Sequence, residues 1–172
     1  MTESSSARTA NLLGALSLAV HERLRAATEG TDPLAGSEPA TLVTLAHYPG
    51  QSIEELRRTL AITHSGAVRL VDRLERAGLV ARAPGGPGRT LAIALTRSGR
   101  AAAAGVLARR QAVLDEIVDS LPSDEQAALA RVAERVLASL TENRQSGFHL
   151  CRLCDEAVCV RGAYCPVDRA IR

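Results

Sequence analysis

The stretch QSIEELRRTLAITHSGAVRLVDRLERAGLV, residues 51–80, constrains the fold more than any other part of the chain. Ser52 and Glu55 stand at capping-box spacing, which starts a short helix. Thr63, a good N-cap residue, follows after a very short turn. Val68, Val71, Leu74 and Leu79 then keep one apolar side, and Gly78 stops the helix. Two helices joined so tightly, the second studded with Arg, predict a helix-turn-helix. The next segment, LVARAPGGPGRTLAIALT, alternates weakly on both sides of a Pro/Gly tip and predicts a β-hairpin. Arg82 and Arg89 flank that tip.

The flanks read as helices. Leu12, Leu13, Leu16, Ala19, Val20 and Leu24 recur at helical spacing between Asn11 and Thr28, and Gly30 with Asp32-Pro33 ends that run. A second helix fits Glu38 to Ala46, with Ser37 as N-cap and Pro39 in the first turn. Thr96 opens a long Ala-rich helix to about Ser120, which Pro122 breaks. Ser123 and Gln126 stand as another capping box, starting a helix to about Gln145 that Ser146-Gly147 ends. Only Tyr48, Phe148 and Tyr164 are aromatic, so the core must be built mainly from Ala, Leu and Val, and Ala and Leu favour helices. The expected fold is mainly α with a small β wing, a winged helix-turn-helix with helical flanks.

Charge is unevenly spread. The net charge is +2, and every basic residue is Arg. Residues 57–100 hold nine Arg against Asp72 and Glu75, whereas the rest of the chain is acidic on balance. A basic segment in an acidic chain marks an anionic partner. MTESSSAR lacks the pattern of a signal peptide, and the apolar run NLLGALSLAV is too short to cross a bilayer. The expected location is cytoplasmic, with no membrane partner.

The string R-L-V-D-R-L-E-x-x-G-L-V-x-R, the wing up to LAIALTRSGR and the helix after it resemble the MarR family of bacterial transcription regulators, over about residues 10 to 145. The resemblance implies an obligate homodimer with two winged heads on a pseudo-palindromic operator in double-stranded DNA. It divides the chain into an N-terminal dimerisation helix (10–36), a winged helix-turn-helix domain (37–97) and C-terminal dimerisation helices (98–146), with a cysteine segment (147–172) beyond the family pattern. The Ala/Leu-rich flanking helices have few other places to bury their apolar stripes. A two-fold dimer sets recognition helices ~34 Å apart, one DNA turn.

Recognition helices present their N-terminal residues to base edges. Thr63, His64, Ser65 and Arg69 are the candidates, with Arg69 suited to a bidentate guanine contact. Arg73 and Ser52 are placed for phosphates, Arg89 for the minor groove, and Arg82 for bracing the wing or touching phosphate. The PGGPG tip lacks the acid that usually pairs with the wing arginine in this family. Plainer alternatives are an exposed His64, an Arg69 paired with Asp72, an Arg76 solvated or paired with Asp72, and packing roles for His21 and His47.

All four cysteines, Cys151, Cys154, Cys159 and Cys165, fall in C-x2-C-x4-C-x5-C-P. In a reducing compartment such clustering points to metal or redox chemistry rather than disulfides. An iron–sulfur cluster is the first reading, since Cys165-Pro166 matches the Cys-Pro ending of cluster-binding runs. Zinc is the alternative, since a C-x2-C turn converges well on a tetrahedral ion. His149 could replace one thiolate. Phe148, Leu150, Leu153, Val158, Val160 and Tyr164 are expected to shield the centre, and Arg152 and Arg161 to offset its charge.

These features fit a repressor whose DNA binding answers to a redox, gas or iron signal at the metal centre, by altering how the helical bodies pack. A small-molecule effector in the cleft between body and head is possible by resemblance, and the metal could also merely cap the C-terminus. Two other classes compete: a redox or electron-transfer protein, and an adaptor with a zinc-stapled docking knob. The charge segregation argues against the electron carrier. No Ser/His/Asp set, phosphate-cradling glycine loop or HExxH supports an enzyme.

Overall fold

The computed structural model describes residues 2–29, 36–84 and 91–171. The wing tip, with Arg89, and the stop at Gly30 to Pro33 lie outside them. The elements run α1 (Thr2–Glu29), α2 (Glu38–His47), α3 (Ile53–Leu60), α4 (His64–Arg76), β1 (Val80–Ala83), β2 (Ala92–Leu95), α5 (Arg97–Asp119), α6 (Ser123–Ser139), α7 (Arg144–Cys151), α8 (Glu156–Cys159) and α9 (Pro166–Ala170). The fold is mainly helical, with a two-stranded antiparallel wing in which Val80 faces Leu95 and Ala83 faces Ala92.

The head forms as its local signals demand. Ser52 accepts from the Glu55 amide at 3.2 Å while Glu55 accepts from the Ser52 amide at 2.7 Å, a complete capping box. Ala61 takes a left-handed φ of 53° and turns the chain into Thr63, whose Oγ1 accepts from Gly66 N at 3.1 Å. Gly78, at φ +69°, ends α4. Leu42, Leu45, Leu56, Leu70, Val71, Leu74, Val80 and Ile93 close one core between α2, α3, α4 and the wing.

The helical body differs. α5 packs along α2 and α1. Within the described residues α6 buries no side chain, and Leu12, Leu13, Leu16 and Leu18 of α1 stand half-exposed or more. Among the described residues α5 and α9 leave much of these apolar faces open to solvent.

Ser37 stands at the N-cap of α2 with Pro39 in the first turn, though its side chain makes no cap hydrogen bond, its backbone being already helical (φ −88°, ψ 0°). Two boundary readings are corrected. Pro122, not Ser123, takes the N-cap position of α6, and Gln126 donates instead to Leu121 O at 3.0 Å. α6 ends at Ser139 rather than near Gln145, and Ser146-Gly147 lies inside α7, which Asn143 and Ser146 open with a reciprocal capping box. Gly147 serves packing there: an added Cβ would sit 3.0 Å from Val167 Cγ1 of α9.

Gly99 fixes where the body leaves the wing. Thr96 Oγ1 donates to Gly78 O at 2.7 Å and accepts from Gly99 N at 3.0 Å, so the start of α5 lies against the start of β1. A Cβ at position 99 would fall 1.9 Å from Leu79 O, which is backbone and cannot swing aside. Despite the better helix propensity of alanine, Gly99→Ala is expected to cost about 2–3 kcal/mol by overpacking, measured by urea unfolding.

Candidate functional site

The front of α4 is open. His64, Ser65 and Arg69 are exposed. Arg69 has no ion-pair or hydrogen-bond partner among the described residues, so the pairing with Asp72 does not form. His64 Nδ1 lies 3.9 Å from Glu54. Thr63 keeps its cap, and the Ser52 hydroxyl donates to Glu55 at 2.8 Å.

The other arginines are largely committed within the head. Arg73 meets the buried Glu38 at 2.7 Å, which leaves its guanidinium half-exposed at the rear of the helix. Arg82 reaches back from β1 to both Asp72, at 2.5 Å, and Glu75. These contacts, led by the hydrogen bond to Asp72, raise its pKa. Asp72 and Glu75 of α4 thus hold Arg82 at the base of the wing. Glu54 takes Arg57 and Arg58, and the Arg57 guanidinium, with Arg58 beside it, holds Glu54 down to about 2. Arg76 donates to the Asp72 carbonyl rather than its carboxylate. Among the described residues of this stretch, Arg69, Arg76, Arg97 and Arg100 are left without an acid partner.

The cysteine segment forms a second site. Cys151 ends α7, and Cys154 follows in a tight turn whose amide donates to Cys151 O at 2.8 Å. Cys159 ends α8, which Asp155 caps through the Val158 amide at 3.2 Å. Gly162 turns the chain at φ +71° toward Cys165, the N-cap residue of α9. All four are free, half-buried thiols. They neighbour one another in a ring: Cys151 meets Cys154 and Cys165, and Cys159 meets Cys154 and Cys165. The hydrogen bond from Cys154 holds the Cys151 thiol below its ordinary range and raises that of Cys154. Burial, then the neighbouring thiolates, push Cys159 up to about 12. Four thiols so close cannot all ionise without a compensating cation.

All four line one cavity of about 440 Å³, with Tyr48, Phe148, Val160 and Val167 among its apolar walls. Among the described residues no group of three or more His, Cys, Asp or Glu is arranged to hold a metal ion. Four sulfurs share the cavity with His47, Glu156, Asp168 and Arg144 and with the apolar walls, and the four thiols are the donors that fit a multi-atom thiolate-held centre. Of the expected shielding residues, Phe148 and Val160 line the cavity, Leu153 packs on the head core, and Tyr164 stands 80% exposed. Arg152 turns to His149 O at 2.6 Å, and the charge facing Cys154 comes from Arg110 of α5. His149 does not line the cavity; its Nδ1 lies 2.9 Å from Thr59 O.

Sequence reasoning missed His47, Tyr48 and Arg110. His47 lines the cavity and its Nε2 donates to Cys154 O at 3.1 Å, across 107 positions of chain. No local pattern marks such a contact.

A model of the MarR family matches residues 33–90. A MarR family protein of Mycobacterium tuberculosis, solved in complex with DNA, is 30% identical to this chain, with a TM-score of 0.58, over 72% of this chain and 96% of its own. The chain belongs to the MarR family. Members of this family are DNA-binding transcription regulators, not enzymes. A MarR family protein of Bacillus stearothermophilus is similar at 25% identity and a TM-score of 0.71, over 83% of this chain and 99% of its own. FabT of Streptococcus pneumoniae, solved in complex with DNA, shares the fold at 18% identity and a TM-score of 0.65, over 76% of this chain and 94% of its own. No curated protein matches the chain. The MarR match at 33–90 stops well short of the cysteines. No described helix is long and apolar enough to cross a membrane.

Proposed function

We propose that this MarR regulator is a homodimeric repressor, that it reads a pseudo-palindromic operator, and that an iron–sulfur cluster on Cys151, Cys154, Cys159 and Cys165 modulates its DNA binding. The observation that carries the cluster is four half-buried thiols gathered on one 440 Å³ cavity. The exposed apolar side chains of α1 and α6 support the dimer, and the DNA complexes of two relatives support the duplex partner. When bound, the cluster supplies one-electron redox chemistry and sensitivity to oxidants. Tyr48 and Phe148 limit water at the thiols, and Arg110 offsets their charge.

Protein purified without oxygen tests this reading directly. Iron with acid-labile sulfide and a brown colour support the cluster. A colourless protein with about one zinc per chain replaces it with a structural staple, and the search for a small-molecule effector reopens.

Arg69 carries the base-reading half of the proposal. With no partner to lose among the described residues, Arg69→Ala is expected to leave stability unchanged and to weaken the selected duplex about tenfold. Binding to random duplex should weaken much less. Titration of both duplexes by fluorescence anisotropy at fixed salt checks it. Equal losses on both would reassign Arg69 to a phosphate.

A further inference from the structure

The cysteine segment does not simply hang from the body. α9 packs on α6, while α7 packs on α3, the first helix of the helix-turn-helix. Leu153, between the first two cysteines, packs against the head core. The segment therefore spans body and head within one subunit.

Two hydrogen bonds make the head side of that span. In both the acceptor is a carbonyl, so the imidazole must donate. His47 of α2 donates to Cys154 O at 3.1 Å, and His149 of α7 donates to Thr59 O at 2.9 Å. Thr59 lies in the last turn of α3, where carbonyls lack intrahelical donors. His149 thus supplies a missing donor to the end of α3. Only Leu60, Ala61 and Ile62 separate that carbonyl from Thr63, which caps the recognition helix. The intervening turn holds Ala61 at a left-handed φ of 53°, a strained setting for a residue with a side chain.

α7 has eight residues and ends on Cys151. A helix below ~12–15 residues is marginal on its own in water. Its outer end carries Cys151, whose carbonyl accepts from the Cys154 amide at 2.8 Å and whose thiol lines one cavity with Cys154, Cys159 and Cys165. We infer that the thiol centre is a clamp on the reading head: loading it fixes α7, and His149 then fixes the turn that aims α4. This rests on the reading of the cysteines as the site of a bound centre. It moves the route of regulation from the packing of the helical bodies to a contact inside each subunit.

The loaded protein should then bind DNA more tightly than the unloaded one, by about tenfold. His149 is a positioning residue for this effect. It holds no metal, so His149→Ala should keep the iron and sulfide content of the natural protein. Its loaded form should bind the selected duplex as weakly as unloaded protein, so the loaded-to-unloaded ratio falls to near one. His149→Gln, whose amide can donate to the same carbonyl, should restore much of the ratio. Hydrogen exchange at residues 60–66 should slow on loading in the natural protein and not in His149→Ala. General destabilisation would instead weaken both forms together and leave the ratio intact. A full ratio in His149→Ala overturns the clamp while the cluster stands. Zinc in place of iron overturns the cluster alone, and the ratio between zinc-loaded and chelated protein then decides the clamp. Protein that holds neither metal overturns both.

Discussion

Cys151→Ser protein is expected to emerge from anaerobic purification colourless, with iron and sulfide below about a tenth of the natural content. Cys151 closes the ring on two sides, through Cys154 and Cys165. It is also the only one of the four on α7. A serine hydroxyl is a hard, weakly acidic donor and does not replace a thiolate for a soft centre. Loss of an outer partner of a ligand already costs about 10–100-fold in affinity, and loss of the ligand itself costs more. The head core contains no cysteine, so the fold and basal DNA binding should remain. What should disappear is the response: exposure to air or chelator should no longer change duplex affinity. The measurement pairs metal and sulfide analysis with anisotropy titrations before and after oxidation. A Ser variant that stays brown would remove Cys151 from the ligand set. One that loses the cluster yet matches natural protein in affinity under every condition would reduce the centre to a C-terminal cap.

The head was legible because its signals are local. Ser52 with Glu55, Thr63, Gly78 and Thr96 each act within a few residues, and each stands where the spacing puts it. The same local rules failed where the chain offered two answers. Ser123 fits a cap, but Pro122 has the extended backbone just before it. Gly147 reads as a stop, yet it lies in a helix because α9 needs the space a side chain would fill. The charge pattern was legible in sign and not in use. Arg73 and Arg82 are held by acids that helical spacing did not pair with them, Glu38 on the first and Asp72 with Glu75 on the second. The thiol ring was legible as a set, while its position was not. The contacts that place it, His47 to Cys154 and His149 to Thr59, join segments 107 and 90 positions apart.

Arg82→Ala is expected to weaken duplex binding about a hundredfold, more than the loss of any single base contact. Arg82 is three-quarters buried between the wing and the recognition helix, with Asp72 at 2.5 Å and Glu75 beside it. Removing it does two things. The wing loses its tie to α4, and two carboxylates on the recognition helix lose their counter-charge. Both acids are partly exposed, so they would repel the phosphates of any duplex the helix enters. The alternative is that Arg82 itself touches phosphate. The two roles separate through Asp72→Asn and Glu75→Gln placed on Arg82→Ala. If Arg82 is a brace against those acids, neutralising them should recover most of the lost affinity. The slope of affinity against salt should also return close to its natural value. If Arg82 is a phosphate contact, the triple variant should stay weak, and the slope should remain shallower by about one counter-ion. Recovery would mean that the wing strand of this regulator is locked from the helix side, through Asp72 and Glu75.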